Sequence, residues 1–566
     1  MNSVFSVAKR VRSLSKPKRV VTKSLLVSFL VGRFGKICRM TLIKPASLFL
    51  LSAFILASCN RPTATPVSPY DPFAPVSGTE LAPAPIQTGE IISATKTPIG
   101  PTPTRAPITV VIPKRSSNLS FTSPTPDAPH PLPPPREYVD QYYVQPGDTL
   151  GSIAQSYGIT LDALMQANGL NESSILSVGA VINIPPVITD PNPGSSFKII
   201  PDSELLYGPV STQFDLAAYL KNRNGYLSNY VQDVDGEYLS GAQIIMRVAQ
   251  NYSVNPRVLV ALLEYRSGWV TNPIPENIDY PLGNYEEYYA GLYRQAAWAA
   301  DSLNRGYYLW RVNAISTVPL ADGTYVPLDP TINAGTMGVQ YFFSKFNDRA
   351  VWDEDVSARG FFQTYNVLFG YPFNYDIGSL LPLNLTQPPM RLPFADGVTW
   401  SYTGGPHGGW DSGSAWAALD FAPPGEGGGC AMSEAWIVAV ADGLIVRAEN
   451  GAVVQDLDND GYEQTGWNVL YMHIASQDRI QPNTYVYAGE VIGHPSCEGG
   501  FSNATHLHLA RKYNGEWIPA DGNVPFVLDG WVSSGDGVEY GGYLTRGTTI
   551  LTAEEGVFEG VNQIAR

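Results

Sequence analysis

A proline-rich segment divides the chain. Nineteen prolines lie in the 76 residues from Arg61 to Arg136, and threonine, serine and alanine fill much of the space between them. Proline keeps a backbone extended, and a segment of this composition lacks the apolar density that a packed core needs. We therefore predict a disordered linker at residues 60–137, and we assign no chemistry to His130 within it. The main folded domains are expected to follow this linker.

The segment before the linker has the pattern of an export signal. Residues 1–44 contain eleven Lys or Arg and no acidic residue, and the apolar run that follows is too short to span a bilayer. Leu56-Ala57-Ser58-Cys59 resembles the bacterial lipoprotein box, in which the cysteine is lipidated and becomes the mature N-terminus. We therefore predict an export signal at residues 1–59, a lipid anchor at Cys59 and an extracytoplasmic, envelope location. The alternative is an ordinary secretory signal, and a start at Met40 would make residues 1–39 superfluous.

The charge of the remaining chain excludes one class of partner. Beyond residue 44 there are 25 basic and 51 acidic residues, which gives a net charge of −26. An acidic protein binds nucleic acids and anionic lipid surfaces poorly. We therefore expect no nucleic-acid partner.

A compact unit is predicted at residues 138–187. A short strand runs into a Pro-Gly-Asp turn, Thr149 and Thr160 are suited to cap two helices, and a strand at Ala180–Ile184 closes a β-α-α-β unit. The unit resembles a LysM domain over its full length. This resemblance implies binding of the N-acetylglucosamine backbone of peptidoglycan or chitin, with a groove lined by Gly147, Asp148, Thr149 and Leu150. Asp148 and Thr149 would also serve as turn and cap.

After a short linker at residues 188–200, residues 201–392 are predicted to be mostly helical. Ala242–Tyr252 and Pro256–Tyr265 have helical apolar spacing, and Glu264 lies near the end of the second helix. Glu264 and the G-T-M-G-V-Q sequence at Gly335–Gln340 resemble parts of lytic transglycosylases and goose-type lysozymes, although the gap between them is longer here. The resemblance makes Glu264 a candidate general acid for glycoside hydrolysis. The alternative is a helical spacer or a glycan-binding fold.

From Met390 onwards, short β-type runs alternate with glycine-rich turns. This pattern predicts an antiparallel β domain at residues 393–535, followed by a C-terminal extension at residues 536–566. Trp436–Ala448 is predicted to form two strands joined by a tight turn, and Thr505–Lys512 is predicted to form a further strand. The fold class is therefore multidomain α+β.

Five of the six histidines fall within residues 407–508. His506 and His508 are two residues apart on a predicted strand, so their side chains project from the same face. His407, Asp420 and His473 lie on or beside neighbouring β-type segments. A catalytic zinc ion takes three N or O ligands and keeps one position for water. Two histidines and one aspartate would supply that set, which leaves two histidines for proton transfer.

The order of these residues resembles the M23 (lysostaphin/LytM-like) zinc metallopeptidases. The thirteen-residue step from His407 to Asp420 is similar to that of the β-lytic and staphylolysin branch. The resemblance implies that His407, Asp420 and His508 bind zinc, and that His473 and His506 are the catalytic pair. His494 matches no motif of the family and is predicted to be structural.

Two other features of this domain suggest a calcium site and a disulfide bond. Asp456, Asp458 and Asp460 have the D-x-D-x-D-G spacing that opens an EF-hand loop, which predicts calcium, although Trp467 stands where that loop has its Glu. A solvated acidic hairpin is the alternative. Cys430 and Cys497 form a candidate disulfide, because the domain is predicted to be exported; two free buried thiols are the alternative.

These features together predict a monomeric cell-wall hydrolase. Its zinc endopeptidase would cut peptide stems or cross-bridges while the LysM domain holds the glycan of peptidoglycan. Two other classes of function stay open. One is a non-catalytic envelope regulator or scaffold with an M23-like fold, which missing metal residues would indicate. The other is a glycan hydrolase that acts through Glu264.

Overall fold

The structure is a computed structural model that describes residues 123–145, 148–171, 174, 176–425, 429–556 and 560–566. The predicted export signal, the lipid anchor at Cys59, most of the proline-rich linker and Gly147 lie outside the described residues. In the part that is described, no helix is both long and apolar enough to cross a membrane.

The helices concentrate in the middle of the chain. The α-helices of the described residues are α1 Leu150–Ser156, α2 Leu161–Asn168, α3 Asp202–Leu205, α4 Leu216–Lys221, α5 Gly241–Tyr252, α6 Pro256–Ser267, α7 Leu292–Arg311, α8 Ala334–Ser344, α9 Arg349–Asp355 and α10 Phe361–Phe369. Short 3₁₀-helices lie at Pro209–Ser211, Tyr226–Asn229, Glu287–Tyr289 and Pro372–Tyr375.

The strands concentrate at the C-terminal end. Those before residue 393 are β1 Asp140–Tyr143, β2 Val181–Ile184, β3 Val231–Val234, β4 Glu237–Ser240, β5 Thr317–Pro319 and β6 Tyr325–Pro327. Those after it are β7 Trp400–His407, β8 Ala418–Ala422, β9 Ile437–Val438, β10 Gly443–Glu449, β11 Ala452–Asp456, β12 Trp467–Met472, β13 Tyr485–Val486, β14 Val491–Gly493, β15 Leu507–Tyr513, β16 Glu516–Trp517, β17 Val527–Leu528, β18 Trp531–Gly535, β19 Gly542–Arg546, β20 Thr549–Thr552 and β21 Gln563–Ile564.

The N-terminal unit is built from β1, α1, α2 and β2, with the two strands antiparallel. The side chain of Thr149 accepts a hydrogen bond from the backbone N–H of Ser152, and that of Thr160 accepts one from Ala163. Each threonine therefore satisfies an N–H group that the helix start leaves unpaired. Tyr325, from a later part of the chain, completes the hydrophobic core of this unit.

The helical region, residues 201–392, packs around α7. This 20-residue helix lies against α8 and α5. Gly306 and Gly338 allow α7 and α8 to approach closely, because a Cβ at Gly306 would lie 2.7 Å from the carbonyl oxygen of Met337. The G-T-M-G-V-Q sequence thus serves helix packing here, and Gln340 donates a hydrogen bond to the carbonyl of Ser195.

A nine-stranded sheet forms the centre of the C-terminal part. Its strand order is β13-β10-β11-β12-β15-β8-β7-β21, and β16 pairs with β15 off this path. Side chains alternate between its two faces, as strand geometry requires. Leu419, Tyr471 and Leu509 belong to a core on one face. Their neighbours Ala418 and Ala510, with Leu470, join the core of the helical region on the other face.

Three sequence expectations need correction. Trp436–Ala448 does not form a hairpin: β9 pairs with β14, and β10 pairs with β11 and β13. The linker prediction is wrong for its last residues, because Asp127 forms an ion pair with Lys198 and His130 stacks on Trp310 of α7. The predicted boundary at residue 535 does not end the sheet, since β21 pairs with β7.

Candidate metal centre

Three adjacent strands of the central sheet bring the predicted metal ligands together. His508 lies on β15 directly opposite Asp420 on β8. His407 ends β7, which pairs with the other edge of β8. Their donor atoms all lie within 4.8 Å of one another. Residues distant in sequence therefore converge because antiparallel pairing places their side chains on one face.

The distances between the donor atoms fit a metal ion with tetrahedral coordination. Nε2 of His407 lies 3.0 Å from Nδ1 of His508, and each of these atoms lies 3.3 Å from Oδ1 of Asp420. Three ligands that bind zinc at about 2.0–2.1 Å in tetrahedral geometry lie about 3.3–3.4 Å apart. Oδ1 of Asp420 is buried and has no hydrogen-bond partner among the described residues. The donor set thus matches zinc in both chemistry and size.

Backbone carbonyls fix which nitrogen of each ligand ring is free. Nδ1 of His407 lies 2.8 Å from the carbonyl oxygen of Gly405, and Nε2 of His508 lies 3.1 Å from that of Gly409. A carbonyl only accepts hydrogen bonds, so these nitrogens carry the protons and the opposite nitrogens present lone pairs to Asp420. Three acceptors that converge in this way repel one another unless a cation lies between them.

The ionisation of the ligands reflects this crowding. Burial would raise the pKa of Asp420, but His407 and His508 outweigh it and hold that pKa well below its usual value. Burial would likewise lower the pKa of His407, and the carboxylate of Asp420 raises it instead. The pKa of His508 is lowered by burial. Asp420 is therefore a carboxylate at neutral pH, as a metal ligand must be.

The predicted catalytic pair lies beside the ligands. The rings of His473 and His506 have centroids 4.5 Å apart, and Nε2 of His506 lies 3.7 Å from Oδ2 of Asp420. Nδ1 of His473 faces the carbonyl of Glu498, and Nδ1 of His506 faces that of Ala504. In the neutral form each ring therefore carries its proton on Nδ1 and leaves Nε2 free. Burial and the neighbouring imidazoles lower the pKa of His473 to about 3, so this ring is uncharged at neutral pH.

The other two histidines lie outside this cluster. His494 packs on Trp436, with ring centroids 3.7 Å apart, and its Nδ1 faces the carbonyl of Ala435. His130 stacks on Trp310 of α7. Both contacts are structural, and that of His130 departs from its predicted place in a disordered linker.

The metal cluster shares its face of the sheet with the helical region. His508 and Ala510 are two residues apart on β15, and Asp420 and Ala418 are two residues apart on β8. Ala418 and Ala510 pack in the core of the helical region. The cluster is correspondingly enclosed, and His407 is only 2% exposed. The helical region therefore covers the part of the sheet next to the site.

The predicted calcium ligands also lie together. One carboxylate oxygen from each of Asp456, Asp458 and Asp460 falls within a cluster of 4.8 Å. Asp456 already accepts hydrogen bonds from three backbone N–H groups of its own loop. Glu463, a further candidate ligand, is instead paired with Arg447. Calcium binding here stays a prediction.

A disulfide joins the two loops beside the catalytic pair. Cys430 is bonded to Cys497, and their Cα atoms lie 5.6 Å apart. The hydroxyl of Thr505, next to His506, donates a hydrogen bond to the carbonyl of Ala431. The disulfide and this hydrogen bond therefore hold the loop around Cys430 beside His506.

The candidate residues outside this domain have local structural contacts. The carboxylate of Glu264 accepts hydrogen bonds from the backbone N–H groups of Val270 and Thr271 and from the Thr271 hydroxyl, so it organises the loop after α6. Asp148 accepts hydrogen bonds from the Tyr142 hydroxyl and the backbone of residue 145. Leu150 is buried in the core of its unit. Glycan binding by these residues stays a prediction.

Sequence reasoning missed two residues at the site. A Cβ at Gly404 would lie 2.9 Å from Oδ2 of Asp420, so only glycine leaves room for that carboxylate. The ring of Tyr540 stacks on the ring of His407, with centroids 4.1 Å apart. The G-G-P-H sequence was a weak indication that Gly404 has a role at the site. Nothing signalled Tyr540, because it lies in the segment predicted to be an extension.

Two parts of the chain match models of known families. Residues 142–185 match the model of the LysM domain, and residues 198–383 match that of the LasA N-terminal domain. Protease LasA of Pseudomonas aeruginosa strain PAO1 is 24% identical over 333 residues, which cover 57% of this chain and 75% of that protein.

Two solved structures are also similar to part of the chain. One, titled as the M23 metalloprotease pseudoalterin, is 23% identical with a TM-score of 0.25, and the match covers 31% of this chain and 99% of the other. The catalytic domain of lysostaphin from Staphylococcus simulans is 27% identical with a TM-score of 0.16, and the match covers 22% and 89% of the two chains. From the sequence matches, the chain is homologous to protease LasA, and it carries a LysM domain ahead of a LasA N-terminal domain.

Proposed function

We propose that this protein is a zinc-dependent endopeptidase that cleaves the peptide stems or cross-bridges of peptidoglycan. The observation that carries this proposal is the convergence of three unprotonated acceptor atoms from His407, Asp420 and His508 at 3.0–3.3 Å from one another. The homology to a protease supports a peptide substrate. The LysM domain supports a substrate in which the peptide is attached to glycan.

His407, Asp420 and His508 would hold the zinc ion. When bound, zinc supplies a Lewis acid and lowers the pKa of a coordinated water. Asp420 brings a negative charge to the ion, and the carbonyls of Gly405 and Gly409 orient the two ligand rings. All five residues of the predicted set are present and converge, which favours an enzyme over a non-catalytic scaffold.

His473 and His506 would transfer the protons. The His473 ring is buried and neutral, with Nε2 unprotonated, so it can accept a hydrogen bond from the attacking water. His506 lies beside Asp420 and can donate a hydrogen bond to the developing oxyanion or to the leaving amine once it is protonated. The chain thus offers an acceptor and a donor on the same side of the ligands.

The LysM domain would keep the enzyme on its insoluble substrate. Binding to glycan raises the local concentration of the peptidase at neighbouring peptide stems. With the predicted lipid anchor at Cys59, the protein would act in the cell envelope. Recovery of a soluble extracellular protein with an unacylated Cys59 would contradict the anchor and leave the peptidase proposal intact.

A matched pair of histidine variants tests the peptidase proposal. His407→Ala removes a ligand, whereas His494→Ala removes a buried histidine outside the cluster. We expect His407→Ala to lose bound zinc and at least about a hundredfold of its activity, measured as new amino groups released from purified sacculi. His494→Ala should retain both. Undiminished zinc content and amino-group release in His407→Ala would overturn the proposal.

The glycan-hydrolase alternative has its own test. Glu264→Gln keeps the size of the side chain and removes its acid. A reducing-sugar assay on the same sacculi should give equal signals for the unmodified protein and the variant. A loss of reducing ends in Glu264→Gln would favour the alternative and assign catalysis to the helical region.

A further inference from the structure

The turn between β18 and β19 reaches the end of β7. The backbone N–H of Gly405 donates a hydrogen bond of 2.7 Å to the carbonyl of Tyr540, and the N–H of Tyr540 donates one of 3.1 Å to the carbonyl of Pro406. These bonds attach Tyr540 to the two residues that directly precede His407. The position of Tyr540 is therefore set relative to the metal ligand and is independent of the outer part of the turn.

The aromatic ring of Tyr540 lies flat against the imidazole of His407. The two ring centroids are 4.1 Å apart and the rings are inclined by 20°. Tyr540 is 54% exposed, whereas His407 is 2% exposed. One face of the tyrosine ring thus covers the histidine while much of the residue remains in solvent. A core residue would not be left so exposed, which indicates that the contact itself is what holds it there.

The backbone of Tyr540 has a conformation that is unusual for a bulky residue. Tyr540 has a φ of 66°, in the left-handed region that bulky side chains rarely occupy. Strained residues of this kind persist when their surroundings determine them, and they cluster at functional sites. The neighbouring backbone is also closely packed, since a Cβ at Gly405 would collide with the carbonyl of Gly541.

We propose that Tyr540 is a positioning residue of the metal centre, whose ring holds the His407 imidazole in the plane that directs Nε2 at the metal. The inference rests on the proposed function, because it takes His407 as a ligand. The carbonyl of Gly405 fixes the tautomer of His407, and the tyrosine ring fixes its rotation and shields its face from water. Partners of metal-bound histidines act in this way on ligand orientation and metal affinity.

Two substitutions separate the ring from the backbone strain. Tyr540→Gly removes the ring and adopts a left-handed backbone without strain, whereas Tyr540→Phe keeps the ring and removes the hydroxyl. Asn483→Gly is a matched control, because Asn483 is an exposed residue with a φ of 65° in a loop without a predicted ligand. All three are made in the full chain.

The readouts are zinc affinity by competition with a chelator, the absorption spectrum with Co²⁺ in place of zinc, and the thermal midpoint of the metal-free protein. We expect Tyr540→Gly to lose about 10–100-fold in zinc affinity and to alter the Co²⁺ spectrum, with a metal-free midpoint like that of Asn483→Gly. Tyr540→Phe should match the unmodified protein.

Unchanged zinc affinity in Tyr540→Gly would overturn the inference, and so would an equal loss in Tyr540→Phe. Either result would leave the proposed function standing, provided that the unmodified protein binds zinc. An unmodified protein that binds no zinc would instead contradict the proposed function itself. The two failures are therefore distinguishable in one set of measurements.

Discussion

The carboxylate of Asp301, on α7, accepts a hydrogen bond of 2.6 Å from the backbone N–H of Gly413, in the loop that follows His407. Burial and the nearby carboxylate of Asp411 raise the pKa of Asp301 to about 7. The helical region thus holds a loop of the metal centre through a side chain that titrates near neutral pH.

The raised pKa of Asp301 predicts a fall in stability with rising pH. A raised pKa means that the folded state binds the proton more tightly than the unfolded state. The stabilising contribution is therefore complete below about pH 4 and is lost as the pH rises through about 7. We expect Asp301→Asn to be up to about 4 kcal/mol more stable than the unmodified protein at pH 8 and equal to it near pH 4.

Denaturant unfolding at both pH values measures the difference. Asp376→Asn is the matched control, because Asp376 is exposed and also accepts a backbone hydrogen bond. A stability difference in Asp301→Asn that does not change with pH would contradict the assignment.

Gly404 predicts a steric effect on the metal ligand. A methyl group at this position would lie 2.9 Å from Oδ2 and 3.0 Å from Cβ of Asp420, so Gly404→Ala should displace the carboxylate. We expect zinc affinity to fall about 10–100-fold. Chelator competition gives the affinity, and Thr403→Ala on the same strand is the control. Equal affinities in the two variants would show that β8 moves without cost.

The ion pair between Arg311 of α7 and Glu516 of β16 should be essential to the contact between the two regions. The two side chains lie 2.8 Å apart, and that of Glu516 is 6% exposed. Arg311→Ala leaves Glu516 buried without its partner, and such changes cost about 3–5 kcal/mol. Arg359→Ala breaks an exposed pair with Glu354 and should leave the unfolding midpoint unchanged. Similar midpoints for both arginine variants would contradict this prediction.

The disulfide predicts a redox-dependent stability. Cys430 and Cys497 are 67 residues apart, and closing a loop of that length stabilises a protein by about 4 kcal/mol in the chain-entropy description. We expect the Cys430→Ser/Cys497→Ser variant to unfold at a lower temperature than the unmodified protein, and to be insensitive to reductant. If reductant lowers both midpoints equally, the bond is absent in solution.

Local chemistry explains what could be predicted from the sequence. Thr149 and Thr160 cap their helices as expected, because capping depends on residues within one turn. His506 and His508 share a face because strand alternation depends only on spacing. The convergence of His407 and Asp420 with them could be inferred from the family resemblance, since no local rule specifies which strands pair.

Long-range contacts account for what was missed. The partner of β9 is β14, about 50 residues further along, and a turn-like Ala441-Asp442-Gly443 sequence suggested the nearer β10 instead. Tyr540 is 133 residues from His407 in the sequence. The backbone hydrogen bonds that bring it there do not depend on the side chains of either segment, so no sequence motif indicates the contact. Ala418 and Ala510 are too small to signal that a whole helical region packs on them.

The shared sheet has a consequence for how the molecule can be divided. One set of strands supplies apolar side chains to both cores, with Val454, Leu470 and Met472 facing the helices and Val453, Val469 and Tyr471 facing away. A fragment that begins near residue 393 would expose Val454, Leu470 and Met472 to solvent as a continuous apolar patch. In the full chain the helical region covers these side chains, so a fragment with the sheet alone should express poorly.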